Sequence, residues 1–330
     1  MVSGIIKIVT KGGRCELVKP KDINRTNDYV FKRIFGSEES KEVLTDFLNA
    51  VMKPPQGEEI TGVELLDREI DPQFLLERGA RLDILATTEK KTIINIEVQV
   101  TNQYNIDKRT VFYWARLYHG QLESGQDFKD LHKTVTVAVL GFDWFPDEGR
   151  YHHTFHIRED ETGQLLNDHM EMHFLELEKV KGLKRKPQNK LEAWLMYLNN
   201  LEGEEMEAIA MENPGIKKAM TIEQIFWQSK KERRMYELRE KTLRDEISAI
   251  GGAKEEGKEE GIKEGKAEGI KTTQEAICKY LEVRFGTASL GLQQQVRGIT
   301  SLDELNRIIN SIYTAGTIEE AQTVVMGTNN

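Results

Sequence analysis

Cysteine is nearly absent: Cys15 and Cys278 are the two in 330 residues, too far apart to suggest a disulfide framework or a zinc-ligand set. A reducing cytoplasm is the simple expectation. No apolar run approaches the roughly 20 residues that span a bilayer, so no membrane partner is expected. The segment from Gly4 to Val9 is too short and interrupted for a signal-peptide core. No glycine-rich phosphate loop, nucleophile elbow or dinucleotide fingerprint occurs, which leaves kinase, hydrolase-elbow and dehydrogenase chemistry without support. A basic excess is missing too. The formal net charge is −9, from 46 Lys and Arg against 55 Asp and Glu, whereas non-specific nucleic-acid binding usually draws on a basic surface. Charged residues at 31% and hydrophobic ones at 38% give a globular balance, with room for one larger core and one or two smaller units.

The informative stretch is Arg81-Leu-Asp-Ile-Leu-Ala followed by Thr92-Ile-Ile-Asn-Ile-Glu-Val-Gln-Val100. Both segments are rich in β-branched residues, and Thr87-Thr-Glu-Lys-Lys91 between them suits a turn, so the pair predicts a β-hairpin. Side chains alternate along a strand, so Glu97 and Gln99 share one face while Ile96, Val98 and Val100 take the other. A carboxylate and an amide then stand beside the strand that carries Asp83. Two readings remain open. Alternation of polar and apolar residues is routine where one face of a sheet meets water. Alternatively, Asp83 and Glu97 hold a hard divalent cation such as Mg²⁺, the apparatus for phosphodiester hydrolysis. Gln99 would orient water or phosphate, since a neutral amide cannot act as a base.

The Asp83, Glu97-x-Gln99 pattern resembles the Asp…Glu-x-Gln variant of the PD-(D/E)XK nuclease core. The segment Thr26-Asn-Asp-Tyr-Val-Phe-Lys-Arg-Ile-Phe-Gly36 is similar to the opening signature of the recombination-promoting nuclease (Rpn) and putative transposase group. Lys108 to Tyr118, Gln121 to Gly125 and Lys133 to Gly141 resemble that group's crossover helix and following strand. The likeness covers about residues 24 to 180. It implies an α/β restriction-endonuclease-like core, a mixed sheet flanked by helices, and a metal-dependent DNA endonuclease of bacterial mobile-element ancestry. Asp83 and Glu97 would be metal ligands, and Gln99 would replace the Lys of the commoner motif, removing a charge that could stabilise a developing oxyanion. Asp28 matches a position where an additional acid often lies near the metal; its other reading is a helix N-cap with Asn27.

DNA contact on an acidic chain requires local clustering. Lys32, Arg81, Lys108, Arg109 and Arg116 are the candidates, Arg109 and Arg116 lying one above the other on a predicted helix. The affinity expected is weak and strongly salt-dependent. His152, His153, His156, His169 and His173 invite a zinc reading, but Met170, Met172 and Phe174 alternate with His169, Glu171 and His173. That is strand period, and it predicts histidines on an exposed sheet face.

Shifts in periodicity divide the chain into an N-terminal extension (1–23), the nuclease-like domain (24–180), a helical region (181–250), a Gly/Lys/Glu-rich repeat (251–271) and a small helical module (272–330). Within the second, residues 26 to 52 read as helix, 60 to 100 as strands, 105 to 123 as helix and 134 to 142 as a buried strand, a crossover unit with a helical C-terminal region beyond. A charged helix is predicted over 222–250. Gly257, Gly261, Gly265 and Gly269 recur every fourth residue. Each costs a helix about 1 kcal/mol relative to Ala, against about 0.2–0.5 for an ion pair such as Glu259 with Lys263. The balance predicts a marginal helix or linker, unless the stripe lets a second copy approach in a homodimer. A second functional reading belongs to another class: a nuclease fold with weak or lost activity, acting as a scaffold through its helical half.

Overall fold

The computed structural model describes residues 23–66, 83–102, 104–146, 149–183 and 185–327. Among the described residues six strands form one sheet: β1 (Val63–Leu65), β2 (Ile84–Thr88), β3 (Ile93–Gln99), β4 (Thr134–Leu140), β5 (His152–Phe155) and β6 (Met170–Glu176). Their order is β1-β2-β3-β4-β6-β5. The predicted hairpin is present: β2 and β3 pair antiparallel with Ile84 opposite Ile96, and Lys91 closes the turn in the left-handed region at φ 62. β4 lies parallel to β3 and to β6, whereas β1 and β5 pair antiparallel at the two edges. The fold is α/β, as the alternation predicts. Every residue of β4 is buried, which matches its nearly unbroken β-branched run.

Sheet pleating separates two faces. Ile84, Ala86, Ile94, Ile96, Val135, Val137 and Val139 pack into the main core with Phe31, Phe35, Phe47, Trp194 and Tyr197. Helices α1 (Asp28–Phe35) and α2 (Lys41–Met52) supply the phenylalanines. They are two helices rather than the single one predicted, because Gly36 ends α1 and Ser37 caps the next turn. The opposite face carries Asn95, Glu97 and Gln99 under α3 (Ile106–His119), the crossover helix between β3 and β4, whose Trp114 Nε1 donates to Thr134 O at 3.0 Å. Beyond the sheet, α4 (Lys190–Leu198), α5 (Gly203–Glu212) and α6 (Pro214–Gln228) add further residues to the main core of this unit. A buried ion pair ties its chain start to α6: Arg25 donates to both carboxylate oxygens of Glu223, at 3.0 and 3.2 Å, and Tyr197 OH adds a third hydrogen bond at 3.0 Å.

The described chain divides between Leu243 and Arg244, inside α7 (Lys230–Phe285). The charged helix predicted over 222–250 is interrupted at Ser229, which is extended. The glycine repeat is helical, contrary to the linker half of the expectation, and Gly257, Gly261 and Gly265 have open space where a Cβ would stand. In the second unit α7, α8 (Leu290–Gly298), α9 (Leu302–Ile312) and α10 (Ile318–Met326) share a core of Ile277, Leu281, Leu292, Val296, Leu305, Ile308 and Ile312. Apart from Ile23, the N-terminal extension lies outside the described residues.

The histidine expectation is half corrected. β6 has the strand period, but His173 is buried rather than exposed, because β5 covers the sheet edge and brings His152 Nε2 to 2.9 Å from His173 Nδ1. Against the upward push of burial, hydrogen bonds from His173 and Lys133 hold Glu171 down at about 2. Burial, with His173 adding to it, pushes His152 down to about 3.

Candidate active site

Asp83 immediately precedes β2, and Glu97 and Gln99 lie near the end of β3. Register brings them together, since Ile84 opposite Ile96 sets Asp83 beside Glu97. Asp83 Oδ2 accepts the Val98 N–H at 3.0 Å, and its Oδ1 lies 2.8 Å from Lys32 Nζ. The Glu97 side chain is 7% exposed, with Oε2 3.5 Å from Arg109 Nε, and its Oε1 accepts from Asn95 Nδ2 at 3.4 Å. Burial pushes the Glu97 carboxyl up to about 7; Arg109 pulls it down and the nearby Asp83 charge pushes it up. The two carboxylates therefore sense each other.

Gln99 is held at both ends. Its Oε1 accepts from Arg109 Nη1 at 3.2 Å and its Nε2 donates to Thr101 O at 3.1 Å. Arg109 also lies over the Tyr113 ring, 5.4 Å from its centroid, and burial raises the Tyr113 hydroxyl above its ordinary range. Asn95, buried, faces Thr136 across β3 and β4, and Asn95 Oδ1, Thr136 Oγ1 and Arg109 Nε have no hydrogen-bond partner. Unsatisfied polar atoms at such a depth are rare and call for a ligand or water.

The chain's match to known proteins fits this geometry: the sequence profile of the PD-(D/E)XK nuclease family transposases matches residues 25–253. The chain belongs to this family. No curated protein and no solved structure matches it. Membership in the PD-(D/E)XK nuclease family transposases brings nuclease-like function with DNA as substrate, and PD-(D/E)XK nucleases generally use divalent metals. Among the described residues no group of three or more His, Cys, Asp or Glu is placed to hold a metal ion. Two carboxylates suffice for Mg²⁺, which keeps several waters and takes phosphate oxygens as further ligands. The all-oxygen donor pair of Asp83 and Glu97, set side by side by the strand register, has the chemistry that a hard cation takes. Among the described residues no helix is long and apolar enough to cross a membrane.

The other sequence-derived candidates divide. Asn27, not Asp28, caps α1 by accepting from Tyr29 N. The Asp28 carboxylate meets Lys32 Nζ at 3.7 Å and Arg239 Nη2 at 3.3 Å. Lys32 and Arg109 are turned inward onto the acids. Lys108 is exposed on α3, Arg116 is half-buried there, and Arg81 lies outside the described residues. Sequence reasoning missed Asn95 and Tyr113. Asn95 stands two residues before Glu97 on its strand face, and Tyr113 stands four after Arg109 on its helix, so either period could have found them.

Proposed function

We propose that this protein is a metal-dependent DNA endonuclease that hydrolyses phosphodiester bonds at Asp83, Glu97 and Gln99. The observation that carries the reading is the pairing of Asp83 with a buried Glu97 whose carboxyl is pushed up to about 7, on the strand face that also bears Gln99. Perturbed acids converging beside polar groups mark functional sites.

Asp83 and Glu97 would hold the cation, Mg²⁺ in this reading. Once bound, a divalent ion polarises the scissile phosphate and acidifies water. Hydrolysis adds one water across a P–O bond. The water oxygen joins phosphorus, the bond to the leaving oxygen breaks, one water proton passes to solvent and the leaving oxygen takes up another. Gln99 keeps one amide hydrogen beyond its bond to Thr101 and directs it to water or phosphate. Arg109 fixes that amide and offsets the charge of Glu97. Lys108 and Arg116 on α3, with Arg81, would meet the DNA backbone, and the net charge of −9 makes that contact weak and salt-sensitive. Recombination follows indirectly, from ends that cutting produces; covalent joining of donor and target DNA by the purified protein would contradict this.

The neutral Gln99 and the acidic balance favour a second reading, an inactive scaffold that assembles through its helical half. Incubation of supercoiled plasmid with the protein in Mg²⁺, Mn²⁺, Ca²⁺ or EDTA separates the two. Nicking in Mg²⁺ or Mn²⁺ that EDTA abolishes supports the nuclease, and intact plasmid in every metal supports the scaffold.

A further inference from the structure

We infer that Lys32 supplies the phosphate-facing positive charge that the neutral Gln99 does not, and that Asp28 and Arg239 hold it in place. The inference rests on the nuclease reading above.

Lys32 projects from α1, an element separate from the hairpin, yet its ammonium lies 2.8 Å from Asp83 Oδ1. Its side chain is only 16% exposed, so the charge stands at the site rather than in bulk water. Asp28, one turn earlier on the same helix, lies 3.7 Å from the ammonium. Arg239 on α7 approaches the same Asp28 oxygen at 3.3 Å. The charges alternate in sign from Arg239 through Asp28 and Lys32 to Asp83. Each link steers the next.

The second cation of the site is committed elsewhere. Arg109 faces Glu97 and donates to Gln99, and turning it toward a phosphate would release the amide. Lys32 meets the carboxylates of Asp83 and Asp28 and, among the described residues, orients no amide of the site. An ammonium on a flexible four-carbon stem can move from carboxylate to phosphate without the planar match a guanidinium needs. Without substrate it offsets the Asp83 charge; with substrate it turns to the phosphate oxygens, where negative charge grows during attack. The effect is electrostatic. Asp28, lying between two cations, is a positioning residue in this scheme rather than a metal ligand.

The test uses the full-length protein with three readouts: single-turnover nicking of supercoiled plasmid in Mn²⁺, binding of duplex DNA in Ca²⁺, and calorimetric titration with Mn²⁺ alone. Lys32→Met is expected to slow nicking by about 100-fold, the scale of losing one preorganised electrostatic group. DNA affinity in Ca²⁺ should change far less than the rate. Mn²⁺ alone should bind the variant more tightly, because a competitor for Asp83 is gone. Adding Gln99→Lys to Lys32→Met should restore about tenfold of the lost rate, since the charge returns from the strand side. Lys32→Met that nicks like wild type, or a folded double variant with no recovery, overturns the inference while leaving the nuclease reading intact. A wild-type protein that nicks nothing overturns both.

Discussion

Arg109 Nε stands 3.5 Å from Glu97 Oε2, and the same guanidinium donates from Nη1 to the amide oxygen of Gln99 at 3.2 Å. One cation thereby couples the charge of the acid to the orientation of the amide two residues along the strand. A lysine at this position could meet Glu97 as a point charge but could not hold both groups in a planar fork. Arg109→Lys is expected to lower the nicking rate by about 10- to 100-fold with little change in the far-ultraviolet circular dichroism spectrum. A rate equal to wild type would show that the fork is dispensable.

Glu97 makes the metal-free protein pay for its site. Its folded-state carboxyl titrates at about 7 against an ordinary 4.5, mainly through burial. A raised carboxyl contributes stability that is full below pH 4.5 and is lost as pH rises through 7. Glu97→Gln removes the buried charge, so in EDTA at pH 8 it should be more stable than wild type by about 2 kcal/mol. At pH 5, where the folded wild-type carboxyl is protonated and the unfolded one is mostly ionised, the difference should fall to about a quarter of that. Thermal melts at the two pH values check both statements, and a destabilised variant at pH 8 contradicts the account.

The glycine stripe of α7 can be tested by filling it. Gly257, Gly261 and Gly265 have nothing within 4 Å of an added Cβ, so Ala at each should stabilise the helix by about 0.8–1 kcal/mol. Light scattering on wild type and on the triple Ala variant tests the homodimer expectation. Gain of helicity with an unchanged monomer shows that the glycines merely weaken the helix; a wild-type dimer that the substitutions dissociate shows that the stripe admits a second copy.

Local periodicity made the hairpin, the shared face of Glu97 and Gln99, α3 and β4 legible, because alternation and a crossover pattern are properties of neighbouring residues. What it could not give was contact between distant elements. The helix period alone does not reveal that Lys32 on α1 lies against Asp83 of the hairpin. Nor does it reveal that Arg239 of α7 meets the Asp28 carboxylate together with Lys32. The burial of His173 depends on β5 closing over β6. The glycine repeat looked marginal by propensity alone, but α7 carries Tyr236 in one core and Ile277 and Leu281 in another. Tertiary anchoring of this kind commonly overrides propensity.

The most direct measurement is cleavage of supercoiled plasmid in Mg²⁺ or Mn²⁺ by wild type, Asp83→Ala and Glu97→Ala, each shown to be folded. The account predicts nicking by wild type that EDTA stops and that both variants lose by at least about 100-fold. Equal nicking by both variants would place the activity outside these two carboxylates and contradict the account.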